Sequence, residues 1–445
     1  MPGDKDNDST DLNSRRGEAR GTPLWRNRDF HLLFGAQIIS LLGSGVTTVG
    51  LALFAYRLTG GVSATAVIGN ALMLRIAAFL LFSQPAGVLA DRTNRKAILI
   101  AADVARFFLL ALFPFISAVW QIYALIFAIN AVTAFFTPTF EASIPELVGE
   151  EQYVKALSLS RVATDIEAVA APALAGLLVA LLGLRWVFWF DASTYLISAA
   201  LVGMAAMPHI AKTKAALSLR SFLSELTTGT RILLKEPSLR QALVLSFAEA
   251  TAGAAAIVAT IAYVRDVLGR GDTAFAFIMA GVGLGSSIAA ILLGRATGRY
   301  EQGVKRRAAL HGRRHVWAER ALLAGGVLLA LVLLPDVFKP SLVVFSLLWV
   351  LNGAGQALIA IPSSTLLAEH TFEAERGRAY AAHFALTHAC WLITYPAIGH
   401  SAASFGSPLT FTIAGIVCLL ATGIAFAMRQ GTPSDHTHKL RAYEG

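Results

Sequence analysis

The sequence is poor in charge. Asp, Glu, Lys and Arg make up 15% of its 445 residues, against about a quarter in soluble globular chains. That deficit excludes a chain whose whole surface faces water. Cysteine is scarcer still. Cys390 and Cys418 are the only two, both inside apolar runs, which excludes a disulfide framework and any paired-cysteine metal knuckle. No phosphate-cradling loop of the Walker type, no Gly-x-Ser-x-Gly elbow and no His-Glu-x-x-His helix occurs. ATP hydrolysis on this chain is therefore not expected, no cofactor is called for, and the chain reads as a non-enzyme. Residues 1–29 are polar and charged. They lack the apolar core and small-residue cleavage site of a secretory leader.

What is present is hydrophobic, 56% of the chain. Apolar stretches of spanning length recur at 30–56, 64–88, 97–118, 120–140, 161–182, 187–207, 240–263, 273–297, 321–337, 341–362, 377–399 and 407–428. The pattern predicts an all-α membrane protein with twelve transmembrane helices. Pro138, Pro172, Pro362 and Pro396 are expected in or near helix ends. The longest gap between spans carries Leu219, Phe222, Leu223, Leu226, Ile232 and Leu233 at helical spacing. It predicts an amphipathic helix along the cytoplasmic face. The chain thus divides into a cytoplasmic disordered tail at 1–29, a six-helix bundle at 30–207, a linker at 208–239, a second six-helix bundle at 240–428, and a cytoplasmic tail at 429–445.

Charge placement gives the orientation. With both termini inside, the cytoplasmic side receives 30 of the 37 Lys and Arg residues. The outer loops receive Arg57, Arg185, Arg265, Arg270 and Lys339, and Arg75 and Arg106 fall within apolar segments. This asymmetry predicts a multi-pass protein of a bacterial-type inner (plasma) membrane with cytoplasmic termini. It also accounts for the net charge of +9 without a nucleic-acid partner. The cluster Lys305, Arg306, Arg307, Arg313, Arg314 and Arg320 reads as a positive-inside loop beside the lipid headgroups.

After the second span comes GVLADRTNRK, Gly87 to Lys96. It resembles, in residues and in position, the loop signature of the major facilitator superfamily. The resemblance implies two six-helix bundles around a central cavity and transport by alternating access. It also implies a gate formed by Gly87, Asp91, Arg92, Arg95 and Lys96. Gly87 would allow close helix approach, Asp91 would accept bonds from a helix N-terminus or an arginine, and the basic residues would form ion pairs specific to one access state. The matching loop of the second half, Gly294 to Arg299, lacks the Asp.

A second stretch, FFTPTFEASIPELV from Phe135 to Val148, is similar to the end of span four in macrolide-efflux and siderophore-export permeases. Arg75, Ala102-Asp103 with Arg106, and Asp191 to Leu196 fit the same group. A third set, Ala156 to Arg161 running into Asp165 and Glu167, and Glu375 to Arg378 running into His383 to Trp391, resembles nickel-resistance-type permeases. Those often end in a histidine-rich tail, whereas this chain offers Asp435, His436 and His438.

An ionisable group at membrane depth costs about 2.5–3.5 kcal/mol on insertion scales and so usually faces a cavity or a partner. Arg75, Asp165, Glu167 and Glu249 are the candidates for proton coupling, with Arg75 expected to pair with a carboxylate. Asp165 and Glu167 lie about 200° apart around a helix, and Arg161 is placed for an i, i+4 pair with Asp165. Asp191 reads as a helix cap. Glu249 reads as the most deeply placed carboxylate of the second half. In span eleven His383, Thr387, Cys390 and Thr394 share one face, and Phe384, His388, Trp391 and Tyr395 another. His383, Thr387, His388, Cys390, Trp391 and Tyr395 are the substrate-cavity candidates. His383, His388 and Cys390 are types that bind nickel, cobalt or zinc, while Trp391 and Tyr395 suit an organic cation. The expected function is proton-coupled efflux of a drug-like or small organic molecule or of a transition-metal cation, by a monomer. A dedicated nickel/cobalt exporter and a non-transporting sensor or scaffold are the alternatives.

Overall fold

The computed structural model describes residues 24–61, 63–207, 219–305, 311–371 and 373–430. Residues 1–23 and 431–445, His436 and His438 among them, lie outside the described residues, while residues 24–29 of the expected N-terminal tail are described, with Leu24 and Asn27 buried. The side chains of Asp91, Arg92, Arg161 and Asp165 also lie outside, and only the backbone of these four is described.

Among the described residues the chain is helical, without strands. The helices are α1 (Arg28–Thr59), α2 (Ala64–Arg92), α3 (Arg95–Ala111), α4 (Val119–Val148), α5 (Glu150–Leu181), α6 (Leu184–Met204), α7 (Leu219–Lys235), α8 (Pro237–Val267), α9 (Asp272–Lys305), α10 (His311–Leu333), α11 (Leu342–His370), α12 (Glu373–Phe405) and α13 (Ser407–Gln430). Apart from α7, they fall one on each of the twelve expected spans. Ten are long and apolar enough to cross a membrane. Within α5 the apolar part is the shorter Ala170–Leu181. The first turns of α12 carry Glu373, Glu375, Arg376 and Arg378, and histidines follow, which dilutes its apolar character.

The helices outrun the apolar stretches that announced them. Hydropathy marks only the lipid-facing length, whereas a helix continues wherever its backbone bonds can be completed. Pro138, Pro172, Pro362 and Pro396 therefore lie inside helices rather than at their ends. Asn27 starts α1, accepting from Phe30 N at 3.0 Å while donating to Leu147 O at 2.7 Å. One side chain thus caps a helix and ties it to α4. Asn94 caps α3 through Ala97 N. Gly149 and Gly183, with φ of 74° and 94°, make the sharp turns between α4, α5 and α6 where a side chain would strain the backbone. α8 is not a uniform helix. It contains two wide π-turns, Ala255–Ala259 and Tyr263–Val267.

The chain forms two compact units, one of Met1–Ala216 with Arg270–Ala280, the other of Leu217–Gly269 with Gly281–Gly445. In the first, α2 packs on α4, α1 on α5 and α6, and α3 on α4 and α6. Leu33, Leu99, Phe136, Phe140, Ile144 and Val202 form its buried core. In the second, α10 packs on α11, α13 on α8 and α10, and α12 on α8. Tyr263, Phe345, Trp349 and Phe411 stack at its centre, Phe345 and Trp349 at 3.9 Å between ring centroids. The amphipathic α7 docks within this unit. Its Gly229 lies so close to Arg378 O and Ala382 of α12 that a Cβ would collide. Lipid offers no hydrophobic drive between helices, so close packing through small residues replaces it. Gly285 of α9 abuts Val350 O, and Gly353 of α11 abuts Val282 O, leaving no room for a side chain on either helix.

Candidate functional site

The loop motif is held by bonds inside the first unit. Arg95 donates to Glu146 at 2.9 Å and to Ala142 O at 2.6 Å, both on α4. Lys96 donates to Ala205 O at 2.9 Å, the capping carbonyl of α6, where a cation suits the negative end of the helix. These contacts join α3 to α4 and α6. A rigid-body movement of the whole unit would carry them along intact. Among the described residues a Cβ at Gly87 would meet nothing within 4 Å. The crowded glycines lie elsewhere, at Gly43, Gly45, Gly253, Gly285 and Gly353.

Of the proton-coupling candidates, Arg75 lies on an exposed face of α2 and donates to Thr48 at 3.3 Å. Glu167 presses its Oε1 into the space over Gly45 of α1, within electrostatic reach of Arg75. Glu249 of α8 is half-buried and within electrostatic reach of Cys390. It is not the most enclosed carboxylate of its unit. Asp336, just after α10, is fully buried, and neither of its carboxylate oxygens has a partner among the described residues. Hydropathy placed Asp336 at a span end, where water is the default neighbour, and instead it is buried within electrostatic reach of Tyr263.

α12 presents Cys390, Trp391 and Thr394 to α8. Thr394 donates to Ala250 O at 3.2 Å. The Trp391 ring fills the notch left by Gly253, beside Gln356 of α11. Tyr395 packs on Trp391 at 5.1 Å between centroids. Thr387 bonds back to His383 O at 2.8 Å, and His388 donates from Nδ1 to Phe384 O at 2.8 Å while stacking on that ring. Cys390, Trp391, Thr387 and His388 remain partly accessible. The metal trio does not converge. Among the described residues no three His, Cys, Asp or Glu side chains form a metal-holding group. The reason is helical geometry: His383 and Cys390 are seven residues apart, about 10 Å along one axis.

The first unit holds a polar interior that the spacing of charges only partly announced. Arg106 pairs with Asp103 one turn before it, both buried. Ser198 of α6 donates to the other Asp103 oxygen at 2.7 Å. The guanidinium lies 4.2 Å from the Phe136 centroid and 4.4 Å from that of Tyr195, a cation held between two rings. Tyr195 and Ser44 of α1 share a hydrogen bond of 3.0 Å. Asp191 is also buried. It sits two turns inside α6, which begins at Leu184 after Gly183, so it caps nothing. The available signal was an Asp three residues before an Arg in an apolar helix, followed by Asp191, Tyr195 and Ser198 at i, i+4 and i+7.

Two helical units built of membrane-length spans, with ionic groups buried inside, define a multi-pass membrane protein. The model of the Major Facilitator Superfamily matches residues 33–312 and 250–442, and the chain belongs to that family. Macrolide efflux protein A of Streptococcus pyogenes is 28% identical over 46% of this chain and 51% of its own length. Multidrug resistance protein MdtG of Dickeya zeae is 26% identical over 75% of this chain and 77% of its own. The chain spans about half the length of the first curated relatives it matches. Among solved structures, an inward-facing bacterial homolog of the human lysosomal transporter Spinster superposes with a TM-score of 0.71 at 13% identity, covering 91% of this chain and 98% of that one. The nucleoside transporter NupG gives 0.70, also at 13% identity, over 91% of this chain and 100% of that one. At such identity the likeness is one of fold.

Proposed function

We propose that this chain is a proton-coupled exporter of small lipophilic organic molecules, cationic ones in particular. It works by alternating access in a bacterial inner membrane, as a monomer with both termini cytoplasmic. The observation that carries the reading is the α12 face at α8. There Trp391, backed by the buried Tyr395, offers aromatic surface, Glu249 offers a carboxylate nearby, and Gln356 a polar group at the same notch. Aromatic faces with an acidic neighbour attract a lipophilic cation. Glu249, with Asp165 or Glu167 of the first unit, would exchange protons against substrate, and His383 and His388 would tune the cavity. The efflux and multidrug names of relatives support the direction and substrate class. In the Asp91 and Arg92 region the family signature supports a gating role.

Nickel or cobalt export is the second reading. One observation favours it: His383 Nε2 is buried without a partner among the described residues, in electrostatic reach of His388. A neutral imidazole so placed is a ligand in waiting. Transport into inverted vesicles separates the readings. Proton-gradient-dependent uptake of a lipophilic cation panel, lost in Glu249→Gln while membrane insertion is retained, supports organic export. Uptake of Ni²⁺ or Co²⁺ alone, lost in His383→Ala, supports metal export. Absence of any flux with properly inserted protein leaves a sensor or scaffold.

A further inference from the structure

The buried charges of the first unit do not balance as a simple ion pair. Asp103 and Arg106 of α3 already neutralise one another, and Ser198 completes the Asp103 carboxylate. Asp191 is a surplus acid. It lies on the same face of α6 as Tyr195 and Ser198, at i, i+4 and i+7, within the electrostatic field of Arg106. Tyr195 stands between, feeling Asp191, Asp103 and Arg106 together. Gly43 of α1 closes the site, since a Cβ there would collide with Asp191 Oδ1 and Thr194. Asp191 itself is 1% exposed.

Two carboxylates on one guanidinium leave a net charge of −1 in a setting from which water and lipid headgroups are excluded, and that charge is expensive. One proton removes it. The hydrogen bonding shows where that proton would sit. Thr194 Oγ1 donates its single hydrogen to Asp191 O at 2.7 Å, its nearer acceptor. The same hydroxyl also donates, at 3.2 Å, to Asp191 Oδ1. Asp103 is already bound by Arg106 and Ser198, which leaves Asp191 as the carboxylate to take the proton. Arg106 Nε has no partner among the described residues, so the guanidinium has a donor left for the ionised state of Asp191.

We infer that Asp103, Arg106 and Asp191 form a proton-binding triad in the first unit, holding one proton on Asp191. Binding forms one O–H bond on Asp191 and nothing is oxidised or reduced. The neighbours are otherwise uncharged. α1 contributes Gly43, Ser44 and Thr47, whose hydroxyl faces Asp191, α4 contributes Phe136, and the described side chain of Glu167 on α5 lies against Gly45, where Arg75 is its nearby cation. Exchange with the outside has a polar line to follow: Tyr195 to Ser44, then Thr48, which bonds Ser44 O at 3.0 Å and receives Arg75. The use of this proton in coupling rests on the transport reading above; its presence does not.

Infrared absorption of the full-length protein in lipid tests the triad directly. A protonated carboxylic acid gives a carbonyl stretch that moves on deuteration. At neutral pH, Asp191→Asn should remove the intensity of one such acid. Asp103→Asn should remove it as well, because Arg106 then balances an ionised Asp191. Arg106→Lys, which keeps the charge, should leave the band unchanged, and Arg106→Gln should add a second acid. Circular dichroism and melting of each variant establish that it is folded. Full intensity in Asp191→Asn means that no proton is held there. Loss in Asp191→Asn with full intensity in Asp103→Asn means a lone protonated Asp191, and either result overturns the triad. Proton-driven flux in vesicles is a separate measurement. An intact infrared pattern with no flux would sink the transport reading and leave the triad standing.

Discussion

Arg95 and Glu146 meet at 2.9 Å although 51 residues separate them in sequence. Arg95 belongs to the loop after the second span, and Glu146 to the Pro-Glu that ends α4. The two stretches that most resembled known permeases are thus halves of one contact. Arg95 also donates to Ala142 O and Ala90 O, so a single guanidinium holds the turn between α2 and α3 against α4. Both side chains are largely shielded, which raises the worth of the bond above that of a surface pair.

Removing either partner should therefore loosen the first unit. Arg95→Ala should cost about 1.5–3 kcal/mol, the range for hydrogen bonds to charged groups, and Glu146→Gln less. Thermal unfolding in detergent, run as a double-mutant cycle with Ala at both positions, should return a coupling of about 1 kcal/mol or more. Additive effects would show that the two side chains do not cooperate.

The glycine seam between α9 and α11 makes a sharper prediction. Gly285→Val and Gly353→Val should each destabilise by about 1–3 kcal/mol or abolish insertion, through overpacking against a backbone carbonyl. Gly87→Ala, with nothing within 4 Å, should leave the melting temperature unchanged. An equal loss at all three positions would contradict the packing described.

Asp336 should be a stability liability. Its carboxylate is enclosed and unpartnered among the described residues. Replacing such a group by an apolar one of similar size recovers about 1–3 kcal/mol, so Asp336→Leu should melt higher than the parent. A lower melting temperature would mean that the acid is bonded in the working protein.

Tyr195 separates ring from hydroxyl. Tyr195→Phe keeps the ring on Arg106 and loses only the bond to Ser44, for about 1 kcal/mol. Tyr195→Ala also uncovers the guanidinium, and should cost about 3 kcal/mol or more. Similar losses in both variants, measured by melting, would assign the effect to the hydroxyl alone.

The helices were legible because lipid demands long apolar runs. Every run of that kind became a helix, from Arg28–Thr59 to Ser407–Gln430. Their ends were not legible, because α5 and α12 begin in charged sequence whose helicity depends on neighbours. The site divided in the same way. Single-helix facts survived, such as the grouping of Trp391 with Tyr395. Facts needing a second helix did not. Asp191 read as a cap because its partners, Gly43 and Arg106, sit on α1 and α3. Gly87 carries the motif but has no close neighbour among the described residues, while the crowded glycines carry no motif. Asp336 went unnoticed because a carboxylate at the end of an apolar run normally meets water.

The first π-turn of α8 gives this helix a point that tolerates a change in length. A wide turn holds one residue more than an ordinary turn, and each residue advances a helix by about 100°. Deleting one residue within Ala255–Ala259 would turn it into an ordinary turn and keep the two halves of the helix in nearly the same relative orientation, whereas the same deletion in an ordinary stretch would rotate one half against the other. Glu249 and Gly253 face Cys390 and Trp391 on one side of it, while Thr260 and Tyr263 are anchored to Trp349 and Pro340 on the other. The wide turn thus acts as a register joint: it takes up one residue of length while the acidic side chain on one side and the aromatic anchors on the other keep their aim.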